Sequence, residues 1–293
     1  MRILLLGNTG QLGWELERCL APLGELTACD YPSIDLADPH SFLHAFHDCQ
    51  PDLLVNAAAY TAVDRAEAES GLAYAINAVS PGIMAEEAHQ HRTAFIHFST
   101  DYVFDGRKSS PYFETDLPAP LSTYGRSKLA GEQAIQQAAG AFIIMRTSWV
   151  YSLRRESFVS KVLGWARQRE TMKLVTDQVS GPTWARMLAE ATSMLVCQAG
   201  EDLQGWFTEY RGLYHLGGSG SCSRFEWGQE ILQLDPHKDQ QVVRQLLPAL
   251  SEEFPTPAER PHFSALNCDL FSSKFHIHLP DWHSTLMLAM ESA

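Results

Sequence analysis

Tyr124 and Lys128 stand four residues apart in "LSTYGRSKLAGE", Leu121–Glu132, and residues at that spacing share one face of a helix. An ammonium held beside a phenol favours the phenolate, so the pair predicts a tyrosine whose pKa falls from about 10 towards working pH. Such a group gives a proton to a carbonyl being reduced and takes one back in the reverse direction. Chance also supplies YxxxK pairs, in which the tyrosine is simply buried and the lysine solvated. A second segment favours the chemical reading: "FIHFSTDYVFDG" reads as a strand that ends in Ser99 and Thr100 at the carboxyl edge of a sheet. A hydroxyl there is placed to polarise the same carbonyl oxygen.

A hydride donor is the remaining requirement. "LLLGNTGQLGWEL" spaces Gly7, Gly10 and Gly13 directly after a strand-like run and at the start of a helix-like one. The first glycine permits a tight turn, the second lets backbone approach a pyrophosphate, and the third lets helix pack closely on strand. The phosphates then meet the positive end of the helix. An ordinary glycine-rich turn is the competing reading. The next strand-like run, "LTACDYPSID", ends on Asp30, where a carboxylate accepts hydrogen bonds from an adenosine ribose. Between Glu25 and Asp64 there is no arginine or lysine to meet a 2′-phosphate, so these residues alone favour NADH over NADPH. Lys128 would also hydrogen-bond the nicotinamide ribose. Hydride donor, acid and polarising hydroxyl together make a carbonyl reductase.

These groups need a scaffold that brings strand ends to one edge. The runs "RILLLG", "ELTACD", "DLLVNAAA", "AFIHFST" and "AFIIMRTSWVY" alternate with segments of helical period. Because they are apolar throughout, they predict strands buried on both faces of a parallel sheet. The fold class is therefore α/β, a doubly wound parallel Rossmann sheet with a smaller C-terminal lobe. Residues 1–150 form the NAD(P)-binding domain and 151–293 mainly the substrate lobe, with about 172–200 returning to the sheet. A proline-bearing segment of about 20 residues, from Asp101 to Leu121, joins the two catalytic stretches, and loops of that length in compact domains are commonly functional.

Composition narrows the partners. A net charge of -13 and a pI near 5.3 exclude an electrostatic grip on nucleic acid or anionic lipid. No apolar run approaches the roughly 20 residues of a membrane span. The six cysteines form no CxxC pair, and Gly7 interrupts the N-terminal apolar run too early for a signal peptide, so a reduced, cytoplasmic enzyme is expected. None of the twelve histidines has metal-ligand spacing along the chain, which predicts no transition-metal site.

The glycine loop together with "NAAAYTAVDRAE", "STDYVFDG", "YGRSKLAGE", "RTSWVY", "DQVSGPT" and "PTPAERPHFSALN" closely resembles the dTDP-4-dehydrorhamnose reductase family of extended short-chain dehydrogenase/reductases, over nearly the whole chain. The resemblance implies reduction of the 4-keto group of dTDP-4-dehydro-6-deoxy-L-mannose to dTDP-L-rhamnose, with Thr100, Tyr124 and Lys128 catalytic and Asp101 beside the sugar. It puts Gln11, Leu12, Asp30, Asp35, Leu36, Ala59, Tyr60 and Thr61 around the dinucleotide, typically NADPH with NADH accepted by some members. It also moves Trp149 from an ordinary core position to the sugar pocket. In some members a homodimer contact built from helix carboxylates holds Mg²⁺, and Glu15 and Glu190 match that region, although exposed helix glutamates are ordinarily just solvated. Two alternatives share these motifs: a non-catalytic regulatory subunit of a methionine adenosyltransferase, and a sister reductase making dTDP-6-deoxy-L-talose.

Arg260 is read from its own surroundings. Pro257 and Pro261 stiffen its loop, and a preorganised guanidinium suits a bidentate grip on the substrate diphosphate. Asp64 is expected to form a local cap or ion pair. Asp177 and Gln178 are placed to line the junction of the lobes, but a turn and helix start before Pro182 explains most of that stretch.

Overall fold

The computed structural model describes residues 1–38 and 40–291. The strands β1 (Arg2–Leu6), β2 (Glu25–Cys29), β3 (Leu53–Asn56), β4 (Ala94–Thr100) and β5 (Phe142–Thr147) pair in parallel with Gly212–His215, in the order Gly212–His215, β5, β4, β3, β1, β2. Successive residues face opposite sides of the sheet, and both sides are covered. Ile3, Leu5, Val55, Ile96 and Ile143 pack with Leu12 and Leu16 of α1 (Gln11–Leu20) and with Leu188 and Leu195 of the helix Ala185–Ala199. Leu4, Leu6, Leu54, Phe95 and Ile144 pack with Phe42, Phe46, Met84 and Ile135, from the helices Ser41–Cys49, Ser80–Gln90 and Thr123–Ala138. That two-sided burial is why the runs carry no polar alternation. Each such side chain contributes about 1.5–3 kcal/mol.

Because β1 has β2 on one side and β3 on the other, the winding reverses there. The crevice beyond the carboxyl ends of β1 and β3 is where ligands bind in sheets of this kind.

In the second lobe, Thr171–Val175 pairs in parallel with Gln245–Ala249. Beside this pair, Tyr151, Val159, Trp184, Trp227 and Leu286 form a separate core. The returning segment differs from the expected 172–200. The helix Ala185–Ala199 does pack on α1, and the strand Gly212–His215 and helix Asp269–Phe275 also join the main core. Thr171–Val175 stays outside because Thr171 and Lys173 alternate with buried Met172 and Leu174, and such a strand has one apolar face, not the two that the central sheet requires.

The segment after β4 ties the lobes together. Phe104 stacks on Tyr112 with ring centroids 4.1 Å apart. The Tyr112 N–H donates to the Ala265 carbonyl at 2.8 Å, and the Asn267 N–H donates to the Tyr112 carbonyl at 2.8 Å. Gly106, at φ +73°, lies so close to Pro261 and His262 that a Cβ would sit 2.6 Å from their atoms. Among the described residues no helix is long and apolar enough to cross a membrane.

Candidate active site

The glycine loop has the form its spacing predicts. Gly7 adopts φ +86°, and a Cβ on it would lie 2.6 Å from the Ala58 nitrogen; a Cβ on Gly13 would collide with the Gly7 carbonyl oxygen. α1 starts at Gln11 with Gly10 as its N-cap and no side chain capping it, which leaves first-turn N–H groups available to an anion. Leu12 is buried beneath, and Gln11 Oε1 is buried with no hydrogen-bond partner. These observations fit a bound dinucleotide diphosphate. Asp30 follows β2 directly, and its Oδ2 accepts from Thr9 N at 3.1 Å and from Thr9 Oγ1 at 2.5 Å. It therefore braces the glycine loop.

The loop after β3 carries Ala59, Tyr60 and Thr61. Asn77 clamps it: Asn77 Oδ1 accepts from Tyr60 N at 2.8 Å, while Nδ2 donates to the Tyr60 carbonyl and to Ser127 Oγ, both at 3.0 Å. Ser127 lies on the helix Thr123–Ala138, so one amide couples the loop to the helix of Tyr124. Asp35 accepts from the Ala37 N–H at 2.9 Å, and the Leu36 carbonyl accepts from Ser80 Oγ at 2.8 Å, fixing the turn between β2 and the next helix.

The catalytic helix begins at the N-cap Ser122, whose hydroxyl accepts from Gly125 N at 3.2 Å. Glu67 adds acceptors for Thr123 N and Oγ1, both at 2.7 Å. The helix thereby presents Tyr124 to Thr100, the last residue of β4, whose hydroxyl lies next to the phenol. The expected lowering of the phenol is not what the structure shows. Burial pushes the Tyr124 pKa up, the Thr100 hydroxyl opposes that only in part, and the Asp101 carboxylate adds to it. Lys128 faces elsewhere: its Nζ donates to the Phe98 carbonyl at 2.7 Å and lies 3.2 Å from His97 Nε2. Burial brings Lys128 down to about 8, against the Glu132 carboxylate one turn away. Glu132 is itself paired with buried Arg146 at 2.6 and 2.8 Å and accepts from Ser99 Oγ at 2.5 Å.

Asp101 is buried at the lobe junction, where its carboxylate accepts from Ser264 Oγ at 2.5 Å, Thr100 Oγ1 at 3.1 Å and Ser180 Oγ at 3.2 Å. Burial raises its pKa to about 6, and those hydroxyls and Arg224 limit the rise.

Trp149 holds φ +41°, a left-handed conformation that a bulky residue adopts only under constraint. The constraint is visible: its ring stacks on Trp227 at 5.5 Å and carries the Arg224 guanidinium 3.5 Å from the ring centroid. Arg260 donates to Asp64 Oδ2 at 2.7 Å and lies beside Tyr102. The expected ion pair of Asp64 is thus made across the lobes, and Arg260 holds the Asp64 carboxyl below its ordinary pKa. Tyr102 meets the ring of Tyr124 edge-on at 5.7 Å and lies near both Arg224 and Arg260. Asp177 accepts from Ser251 N at 2.9 Å and Ser251 Oγ at 2.8 Å.

Glu15 and Glu190 do approach each other across α1 and the helix Ala185–Ala199, and burial raises the Glu15 pKa. Arg186, however, pairs with Glu190 at 2.9 Å, and Arg18 and Arg154 also act on Glu15.

Arg224, Asn77, His97, Ser180 and Ser264 were not singled out from the sequence. "DQVSGPT" and "PTPAERPHFSALN" contained the two serines as motif letters only; nothing local marks the other three.

Three comparisons bear on this site. A family model described as RmlD substrate binding domain matches residues 1–293. The chain is 39% identical over 294 residues to a dTDP-4-dehydrorhamnose reductase of Burkholderia thailandensis, covering 99% of this chain and 98% of the relative. It is 40% identical over 287 residues to that of Escherichia coli, covering 96% and 94%. A solved dTDP-4-dehydrorhamnose reductase of Bacillus anthracis, in complex with NADP, superposes with a TM-score of 0.89 at 30% identity and covers 100% of this chain and 99% of its own.

Proposed function

The chain belongs to the dTDP-4-dehydrorhamnose reductase family, and on that footing we propose that it reduces the 4-keto group of dTDP-4-dehydrorhamnose to give dTDP-L-rhamnose, with NAD(P)H as the hydride source. The observation that carries the reading is the Tyr124 phenol set beside the Thr100 hydroxyl at the carboxyl end of β4, the edge that the glycine loop also faces. Gly7, Gly10, Gly13 and the first turn of α1 would hold the dinucleotide, which supplies hydride when bound. A phenol whose pKa burial raises stays protonated at neutral pH, which suits donation to the alkoxide formed by reduction. Thr100 hydrogen-bonds the carbonyl oxygen and favours charge building there. Lys128, anchored on Phe98 and His97, holds the helix face under Tyr124 and offers donors to the nicotinamide ribose. Trp149 and Asp101 wall the sugar pocket, and Arg260 meets the diphosphate.

An enzyme is favoured over a binding module because a regulatory subunit has no use for a buried acid paired with a polarising hydroxyl. All six cysteines are free thiols, which supports reading the enzyme as cytoplasmic. The test is oxidation of NADPH or NADH with dTDP-4-dehydro-6-deoxyglucose in the presence of a 3,5-epimerase, with NMR of the product. A rhamno-configured product is expected; a talo-configured one assigns the sister reaction, and no oxidation at all overturns the enzyme reading.

A further inference from the structure

On the side of the fold away from this site, the structure brings His47 to two ligand-bearing side chains, Glu87 and His91, that lie one turn apart about 40 residues later in the sequence. His47 lies in the last turn of the helix Ser41–Cys49, Glu87 in the last turn of Ser80–Gln90, and His91 is that helix's C-cap. Those helices run back to the starts of β3 and β4, so the cluster occupies the amino edge of the sheet, whereas Thr100 and Gly7 lie at the carboxyl edge. Histidine spacing predicted no such grouping, because His47 reaches His91 and Glu87 only when the two helices pack.

We propose that His47, Glu87 and His91 form a binding site for a late first-row divalent cation of the Zn²⁺ class. Glu87 Oε2 lies 3.5 Å from His91 Nε2 and 3.8 Å from His47 Nε2, and the three ligand atoms lie within 4.8 Å of one another. The two Glu87 separations exceed a direct hydrogen bond of about 2.7–3.2 Å. They approach the spacing of roughly 3.3–3.4 Å between ligands held about 2.0–2.1 Å from one tetrahedral zinc ion. Small side-chain rotations close the difference. The donor set is two imidazoles and one carboxylate, which suits zinc, and three protein ligands leave a fourth position for water.

Four further features support a cation there. Glu87 is the inner member, its side chain 19% exposed against 51% for His47 and 50% for His91, so charge is supplied from below and the imidazoles close from the solvent side. The Phe46 ring meets both imidazoles edge-on, at 5.8 Å from His47 and 5.5 Å from His91, which limits their orientations. Both helices end at the cluster, and their carbonyl termini favour positive charge. A surface cavity of about 710 Å³ opens beside His91 and Phe46 and gives the fourth position access to solvent. Bound metal would clip the two helices together far from the reacting atoms.

The experiment uses the full chain without a polyhistidine tag, stripped with chelator and titrated with Co²⁺. One equivalent is expected to develop the intense visible d–d bands of a tetrahedral site, and Zn²⁺ is expected to displace it. His47→Ala and His91→Ala should each abolish the bands and weaken Zn²⁺ binding at least about tenfold, the scale at which even outer-shell partners of a metal site act. Glu87→Gln should weaken it as well. His44→Ala, one turn from His47 and paired only with Asp48, should change nothing. Absence of the bands, or bands that survive His47→Ala and His91→Ala, overturns the assignment.

Discussion

His97 Nε2 stands 3.2 Å from Lys128 Nζ beneath the catalytic helix, and the other ring nitrogen, Nδ1, faces Asn56 Nδ2 at 3.2 Å. The Asn56 Oδ1 is already occupied by the Ala58 N–H at 3.0 Å, so the amide nitrogen donates to Nδ1. Burial keeps the ring neutral, with a pKa well below the ordinary value, and its proton then sits on Nε2 and points at the lysine. A neutral amine accepts such a bond and an ammonium does not, so an N–H facing Lys128 works in the same direction as burial, towards release of the lysine's proton.

The folded pKa of Lys128, about 8, lies below the roughly 10.4 of an unfolded lysine. Between those values the unfolded chain holds a proton that the folded chain has released, so stability rises with pH across the window. Relative to Lys128→Met, the wild-type chain should gain stability from pH 8 to 10, read as a rising urea midpoint. A constant difference between the two proteins across that window would show that the amine is not depressed.

Tyr124→Phe should lower turnover by about 10²–10⁴-fold, the usual contribution of a general acid, while dinucleotide binding measured by fluorescence titration persists. The raised phenol adds a directional expectation. Because Tyr124 stays protonated well above neutral pH, the reduction direction should hold its rate to higher pH than an enzyme whose phenol titrates near 7. Near-normal turnover of the mutant removes Tyr124 from the proton path.

How much of this was legible beforehand follows from the range of each interaction. The parallel sheet was readable because burial on both faces leaves an uninterrupted apolar run, and the glycine loop because steric demand at Gly7 and Gly13 admits no other residue. The places of Thr100 at a strand end and of Tyr124 on a helix were readable too. The direction of the Tyr124 shift was not, since it depends on where Lys128 turns, and its partner His97 is 31 residues away on β4. Asp101 takes its hydroxyls from Ser180 and Ser264, 79 and 163 residues distant. Arg224 is recognised only once Trp149 lies under it. Such partners are fixed by the packing of the two lobes, which no local pattern encodes.

Asp30→Ala should shift cofactor preference towards NADPH. A carboxylate at the end of β2 accepts from a free 2′-hydroxyl and repels a 2′-phosphate, so its removal should weaken NADH binding more than NADPH binding. Both affinities also carry a shared loss, because Thr9 loses the acceptor that braces the glycine loop. Isothermal titration separates the two effects: equal losses for both dinucleotides would leave Asp30 as a brace only and turn attention to Asp35.

Arg260 offers the sharpest separation of a structural role from a substrate role. Its ion pair with Asp64 joins the "PTPAERP" loop to the cofactor domain, and if that were its whole purpose, Arg260→Ala and Asp64→Asn would impair the enzyme alike. A diphosphate role predicts opposite behaviour. Arg260→Ala should raise KM for the dTDP-sugar roughly ten- to a hundredfold, because a hydrogen bond to a charged group contributes about 1.5–3 kcal/mol, with little change in NADPH affinity. Asp64→Asn should leave KM level or lower it, since the guanidinium is then freed from a competing carboxylate. Lysine at 260 should rescue only in part, lacking the planar fork. Parallel rises in KM for both variants would assign the arginine to the lobe contact and require another group, with Arg224 nearest at hand, to meet the diphosphate.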